Sequence, residues 1–136
     1  MAFEWNQTYS VGVDKIDDQH KQLFAMLNKL LDAMRRGEAK HEIIGFFNFM
    51  ANYADEHFKT EEQYMASFGY ANAQVHKAQH TIFKTSVENA RRQLESEGYS
   101  AALLLEIYKQ VGEWLINHIC KTDVALGAFL TVKNAA

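Results

Sequence analysis

The stretch that decides the fold runs from residue 57 to residue 80: His57-Phe58-Lys59-Thr60-Glu61-Glu62-Gln63-Tyr64-Met65-Ala66-Ser67-Phe68-Gly69-Tyr70-Ala71-Asn72-Ala73-Gln74-Val75-His76-Lys77-Ala78-Gln79-His80. It holds two pairs of potential ligands, His57/Glu61 and His76/His80, on either side of a break at Phe68-Gly69-Tyr70-Ala71-Asn72. Residues four apart on an α-helix lie close to one face, so both members of a pair can point at one centre. Glycine suits the left-handed position that closes a helix, and asparagine suits the start of the next. The stretch therefore reads as a helical hairpin that brings the two pairs to the same end.

Two further breaks of the same kind, Arg36-Gly37-Glu38 and Glu97-Gly98-Tyr99-Ser100, divide the rest of the chain. Helices are predicted over about 17–35, 40–67, 73–95 and 101–118, with a short tail helix over about 123–130. The segment 1–13 reads as an arm that packs Phe3, Trp5 and Tyr9 against the helices. Connections this short make consecutive helices antiparallel neighbours. The expected fold is all-α, an up-down-up-down antiparallel four-helix bundle with an N-terminal arm and a short C-terminal helix, forming one domain over 1–136.

Composition agrees. The 136 residues, 48% hydrophobic and 23% charged, suffice for one domain with a real core, and no proline with seven glycines is a poor supply for the turns of a sandwich or barrel. The formal charge of -3 is spread without a basic block, which argues against a nucleic-acid partner. The longest apolar stretches fall short of the roughly 18 residues of a membrane span, and Met1 to Asn6 lacks the features of a signal peptide, so no stable membrane insertion is expected. The lone Cys120 suits a reducing compartment, and the expected location is the cytoplasm.

Each of the four core stripes is interrupted by histidine. With helices alternating in direction, His20, His57, Glu61, His76, His80 and His118 fall at one end of the bundle. A single histidine in an apolar seam is ordinarily a core residue with satisfied ring nitrogens. Five imidazoles and a carboxylate in one dry layer would leave many donors and acceptors unpaired, at roughly 1–3 kcal/mol each. A metal centre satisfies them together. Five imidazoles exceed the needs of one tetrahedral zinc, and the absence of thiolates disfavours a structural zinc site, so two metals fit better. The second carboxylate nearest to hand is Asp123, five residues after His118. On a regular helix that spacing leaves the pair about 140° apart, so Asp123 reaches the centre only if the helix ends or bulges between them.

The set His20, His57-x-x-x-Glu61, His76-x-x-x-His80 and His118-x-x-x-x-Asp123 resembles the ligand pattern of the hemerythrin family in its single-domain bacterial form. Also similar are the arm from Trp5 to Gly12, the run Ile16-Asp17-Asp18-Gln19-His20, the run from His57 to Met65, and Trp114-Leu115-Ile116-Asn117-His118. The resemblance implies a di-iron centre cycling between Fe2+ and Fe3+, bridged by Glu61, Asp123 and an oxide or hydroxide. His76, His80 and His118 would ligate one iron. His20 and His57 would ligate the other, leaving a vacancy for dioxygen. The implied role is reversible oxygen binding without enzymatic turnover, for transport or storage, by a monomer that supplies an oxygen-consuming enzyme.

One layer inward from the ligands, Leu23, Tyr53, Ala54, Phe83, Trp114 and Leu115 form a candidate oxygen pocket, almost wholly apolar. Such a lining denies water and protons to a bound ligand, as a carrier requires and a di-iron oxidase does not. The plainer reading is ordinary core for Ala54 and Phe83, and an outward hydroxyl for Tyr53. Competing functions are a nitric oxide or peroxide reductase, an oxygen, redox or iron sensor acting through a separate partner, and metal storage. Cys120 reads as a small buried residue, His41 as solvated, and Glu88 to Gln93 as an exposed helix face.

Overall fold

Four long helices carry the chain up and down: α1, Asp14–Arg35; α2, Ala39–Phe68; α3, Ala73–Glu97; and α4, Ala101–Asn117. A π-helical segment, His118–Asp123, continues α4 into a short fifth helix, α5, Val124–Val132. This computed structural model describes residues 3–133, so the expected ends of the arm and of the domain, 1–2 and 134–136, lie outside the described residues. Among the described residues there is no strand. The architecture is the expected four-helix bundle with an arm and a short C-terminal helix.

Local chemistry accounts for the helix ends. Gly69 closes α2 in the left-handed conformation, φ 69° and ψ 44°, which costs a residue without Cβ little. Ser100 caps α4, its hydroxyl accepting from the Leu103 N–H at 3.1 Å. Asn72 departs from expectation and makes no capping bond, because its backbone, φ -91° and ψ 18°, is not in the extended conformation from which such a side chain reaches back. Helix α1 begins at Asp14, three residues before the expected Asp17. The Asp17 carboxylate accepts from Ser10 Oγ at 2.5 Å and from the Val11 N–H at 2.9 Å, tying the arm to the first turn of α1.

The core runs the length of the bundle through Leu23, Leu27 and Leu30 of α1, Phe46, Met50 and Ala54 of α2, and Leu104, Ile107, Val111 and Leu115 of α4, all buried. Helix α3 contributes least. Its buried residues are His76, His80, Phe83, Val87 and Leu94, so two of the five that seat it are imidazoles. The helical run Ala101–Val132 is long and apolar enough, by length and composition, to cross a membrane, but here its buried stripe is bundle core and includes His118 and Asp123.

The arm lies where two helical glycines admit it. Phe3 packs against Gly112 and on Tyr108, with ring centroids 5.2 Å apart, and Tyr9 stacks on Phe24 at 5.8 Å. The Val11 carbonyl presses on Gly127 of α5, where a Cβ would overlap it. Gly127→Ala must push the arm away, and a loss of about 1–3 kcal/mol is expected. Gly45, exposed within α2 with nothing near its missing side chain, has the opposite sign. Gly45→Ala should gain about 0.5–1 kcal/mol by removing backbone freedom from the unfolded chain. Urea midpoints of the two variants test both, and shifts of the same sign would contradict this seating of the arm.

Candidate metal centre

Seven polar side chains meet at one end of the bundle: His20 from α1, His57 and Glu61 from α2, His76 and His80 from α3, His118 just after α4, and Asp123 at the end of the π-helical segment. All are buried, the most exposed being His118 at 4%. Their ligand atoms form two overlapping groups, one with His76, His80 and His118, the other with His20 and His57, and both include Glu61 and Asp123.

The carboxylates divide their oxygens between these groups. Glu61 Oε1 lies 2.9 Å from His80 Nε2 and 3.1 Å from His76 Nε2, whereas Oε2 lies 3.5 Å from His57 Nε2 and 3.8 Å from His20 Nε2. Asp123 Oδ1 lies 3.0 Å from His118 Nε2 and 3.1 Å from His76 Nε2, whereas Oδ2 lies 2.9 Å from His20 Nε2. Each carboxylate thus presents one oxygen to the three-imidazole side and one to the two-imidazole side.

Asp123 gets there through the π-helical winding. A regular helix would turn it away from His118, but a π turn closes hydrogen bonds between residues five apart, here from the Val124 N–H to the Ile119 carbonyl. Residues 118 and 123 then stack on one side. Cys120, expected to be buried, is instead exposed, while His118, Ile119 and Asp123 face inward.

The donor set suits cations. Nε2 of His20 and His118, Oε2 of Glu61 and both oxygens of Asp123 are buried without a hydrogen-bond partner, although the nearest contacts among them are about 3 Å. Close approach without alignment is what atoms show when they are aimed at a common third point. Buried lone pairs left in this way are costly, and a metal ion on each side of the shared carboxylates would satisfy them.

Three of the five imidazoles are held from behind. His57 Nδ1 donates to Gln19 Oε1 at 2.7 Å, and Gln19 Nε2 donates to Thr60 Oγ1 at 3.1 Å. His80 Nδ1 donates to Glu62 Oε2 at 3.0 Å. His118 Nδ1 donates to Gln79 Oε1 at 2.8 Å, an oxygen that also accepts from Thr122 Oγ1 at 2.7 Å. An Nδ1–H so engaged leaves the Nε2 lone pair to face the cluster. Sequence reasoning missed these partners, as it missed Phe58, whose ring stacks 3.9 Å from His80 at 9°. One signal was available: Gln19, Glu62, Gln79, Thr122 and Phe58 each adjoin a candidate ligand in sequence.

The candidate pocket residues separate. Leu23, Ala54, Phe83 and Leu115 are buried at 2% exposure or less. Leu23 lies one turn from His20 and Ala54 one turn from His57, on the two-imidazole side. Phe83 packs 4.5 Å from Trp114, which stacks on His118 at 4.5 Å, so both stand by the three-imidazole side. A cleft of about 370 Å³ between α3 and α4 runs behind them. Tyr53 is half-buried, stacks on Phe49 at 4.9 Å, and has its hydroxyl pushed up by burial and by Glu56 and Asp18.

Residues 11–130 match a family described as Hemerythrin HHE cation binding domain. The chain belongs to the hemerythrin family. It is 30% identical to a bacteriohemerythrin of Clostridium acetobutylicum over 124 residues, 89% of this chain and 95% of that one. It is 35% identical to a bacteriohemerythrin of Methylococcus capsulatus over 123 residues, 90% and 92% of the two chains. A crystal structure of wild-type hemerythrin superimposes with a TM-score of 0.80 at 30% identity, covering 97% of each chain, and that of a leucine-to-alanine variant with a TM-score of 0.82.

In this hemerythrin-family chain without metal, burial disfavours charge throughout the cluster, but the carboxylates outweigh it at His20 and His76 and hold both up to about 9. At His57 burial wins, with His20 adding repulsion, and the ring is pushed down to about 4. Against burial, the surrounding histidines hold Glu61 and Asp123 well below the usual carboxylate range. A raised histidine stabilises the fold below its unfolded value of 6.5, and the contribution is lost as pH rises through about 9. Metal-free protein should therefore melt at progressively lower temperature between about pH 6.5 and pH 9. Bound metal displaces those protons and should flatten the decline. A melting point that climbs over this interval in the metal-free protein would contradict the balance between burial and the carboxylates at His20 and His76.

Proposed function

We propose that this chain binds dioxygen reversibly at a non-haem di-iron centre and serves as a carrier or store, not as an enzyme. His76, His80 and His118 would hold one iron, His20 and His57 the other, with Glu61 and Asp123 shared. The observation that carries this reading is the division of both carboxylates between a three-imidazole and a two-imidazole group. Unequal donor counts leave the His20/His57 side one donor short, which is where a small ligand finds room. When bound, the iron pair would supply the electrons that dioxygen takes up on binding and returns on release.

The remaining work falls to the chain. Gln19 orients His57, and the Glu61 and Asp123 oxygens neutralise positive charge that would otherwise be isolated in a dry layer. Leu23, Ala54 and Leu115, all buried, would exclude water from the layer. Phe58, Phe83 and Trp114 wall the other side with aromatic rings. Burial and the charges of Glu56 and Asp18 hold the proton on the Tyr53 hydroxyl, which makes it a poor proton donor. A reductase of nitric oxide or peroxide needs protons delivered, and this lining is built to withhold them. The exposed single thiol, Cys120, suits a reducing cytoplasm, where a monomer would pass oxygen to a consuming enzyme.

His57→Ala removes one of two imidazoles from the open side and should abolish oxygen uptake by the reduced, iron-loaded protein in an oxygen electrode; undiminished uptake would refute the assignment. Leu115→Thr should retain uptake but shorten the lifetime of the oxygenated form several-fold, by admitting water. An unchanged lifetime would remove Leu115 from the pocket wall.

A further inference from the structure

The three residues that hold imidazoles from behind differ in one respect. Gln19 and Gln79 are neutral, whereas Glu62 is a carboxylate. Its Oε2 lies 3.0 Å from His80 Nδ1, and its side chain is 30% exposed against 1% for the ring it holds. Among the described residues Glu62 pairs with no lysine or arginine: Lys59 and Lys84 both turn to Asp55, at 3.0 and 2.6 Å. The His80 ring is sandwiched against Phe58 at 3.9 Å, with Nε2 toward Glu61, so its Nδ1–H has one direction in which to donate.

We infer that Glu62 is a positioning residue that sets the reduction potential of the centre, by placing a negative charge behind one imidazole of the three-histidine side alone. This rests on the di-iron reading of the site. A carboxylate accepting from Nδ1–H draws the proton toward itself and pushes electron density to Nε2, making His80 a stronger donor than an imidazole held by an amide. A stronger donor with an uncompensated anion behind it favours the more positive, oxidised state of the metal, which lowers the potential. His57 and His118, held by amides, receive no such push. The asymmetry in donor count is thereby reinforced by an asymmetry in charge, on the side away from the proposed ligand.

The test is a redox titration of the iron-loaded protein, parent and variants, with iron counted per chain in each. Glu62→Gln keeps the acceptor oxygen and removes the charge; it should bind two irons and show a midpoint shifted to higher potential. Gln79→Glu, which adds a charge behind His118, should shift it lower. Glu88→Gln removes a carboxylate paired with Arg91 on the exposed face of α3 and should leave the midpoint in place. A Glu62→Gln midpoint equal to the parent's, or displaced no more than that of Glu88→Gln, overturns the inference. Loss of iron from Glu62→Gln also overturns it, because the retained hydrogen bond should preserve occupancy. Failure of the parent to take up two irons is a different result: it rejects the di-iron reading, and the inference falls with it.

Discussion

Five imidazoles and two carboxylates buried in one layer of a small bundle set the terms for the rest of the structure. Each unpaired buried donor or acceptor costs about 1–3 kcal/mol, against a total stability of about 5–15 kcal/mol for a domain of this kind. Several of the seven have no aligned partner, a cost that cations between the shared carboxylates would relieve. The consequences reach well beyond the site. Helix α3 buries only five residues, two of them His76 and His80, so its attachment to the bundle depends on the same layer. The π-helical winding between His118 and Asp123 departs from regular helix and is sustained because it brings the second carboxylate into reach.

The helices are also laced together by a repeating device. Gln19, next to His20 on α1, holds His57 on α2; Glu62, next to Glu61 on α2, holds His80 on α3; Gln79, next to His80 on α3, holds His118 beyond α4. A residue adjacent to an inward-facing ligand is rotated about 100° around its helix, which points it at the neighbouring helix. Helices α1, α2 and α3 therefore each supply a ligand and the support for a ligand on the element that follows. Orientation of the imidazoles is a property of the assembled bundle, not of any one helix.

This lacing explains what was and was not legible in the sequence. The number of helices, their alternation and the gathering of the ligands at one end follow from the seam spacing and from the breaks at Gly37, Gly69 and Gly98. The spacing of His118 and Asp123 even demanded a distortion of the helix, and its form is the π turn. The supports escaped because they lie off the seam, where a spacing rule for inward faces does not look: Gln19, Glu62 and Gln79 pass for surface polar residues until neighbouring helices are placed. Phe58 was hidden for the same reason. Cys120 was misjudged because residue type was given more weight than position: two residues after the inward-facing His118, even a regular helix turns it about 200° away. At Asn72, residue type was a weaker guide than local backbone, which lacks the extended conformation of a cap.

The central claim is that this layer holds a pair of irons that takes up and gives back dioxygen. The most direct measurement is the visible absorption spectrum of the reduced, iron-loaded protein as the gas above it is switched repeatedly between nitrogen and oxygen. A charge-transfer band that appears under oxygen and vanishes under nitrogen through successive cycles is the predicted result. A band that forms once and decays to an oxidised product, or no band at all, would contradict it.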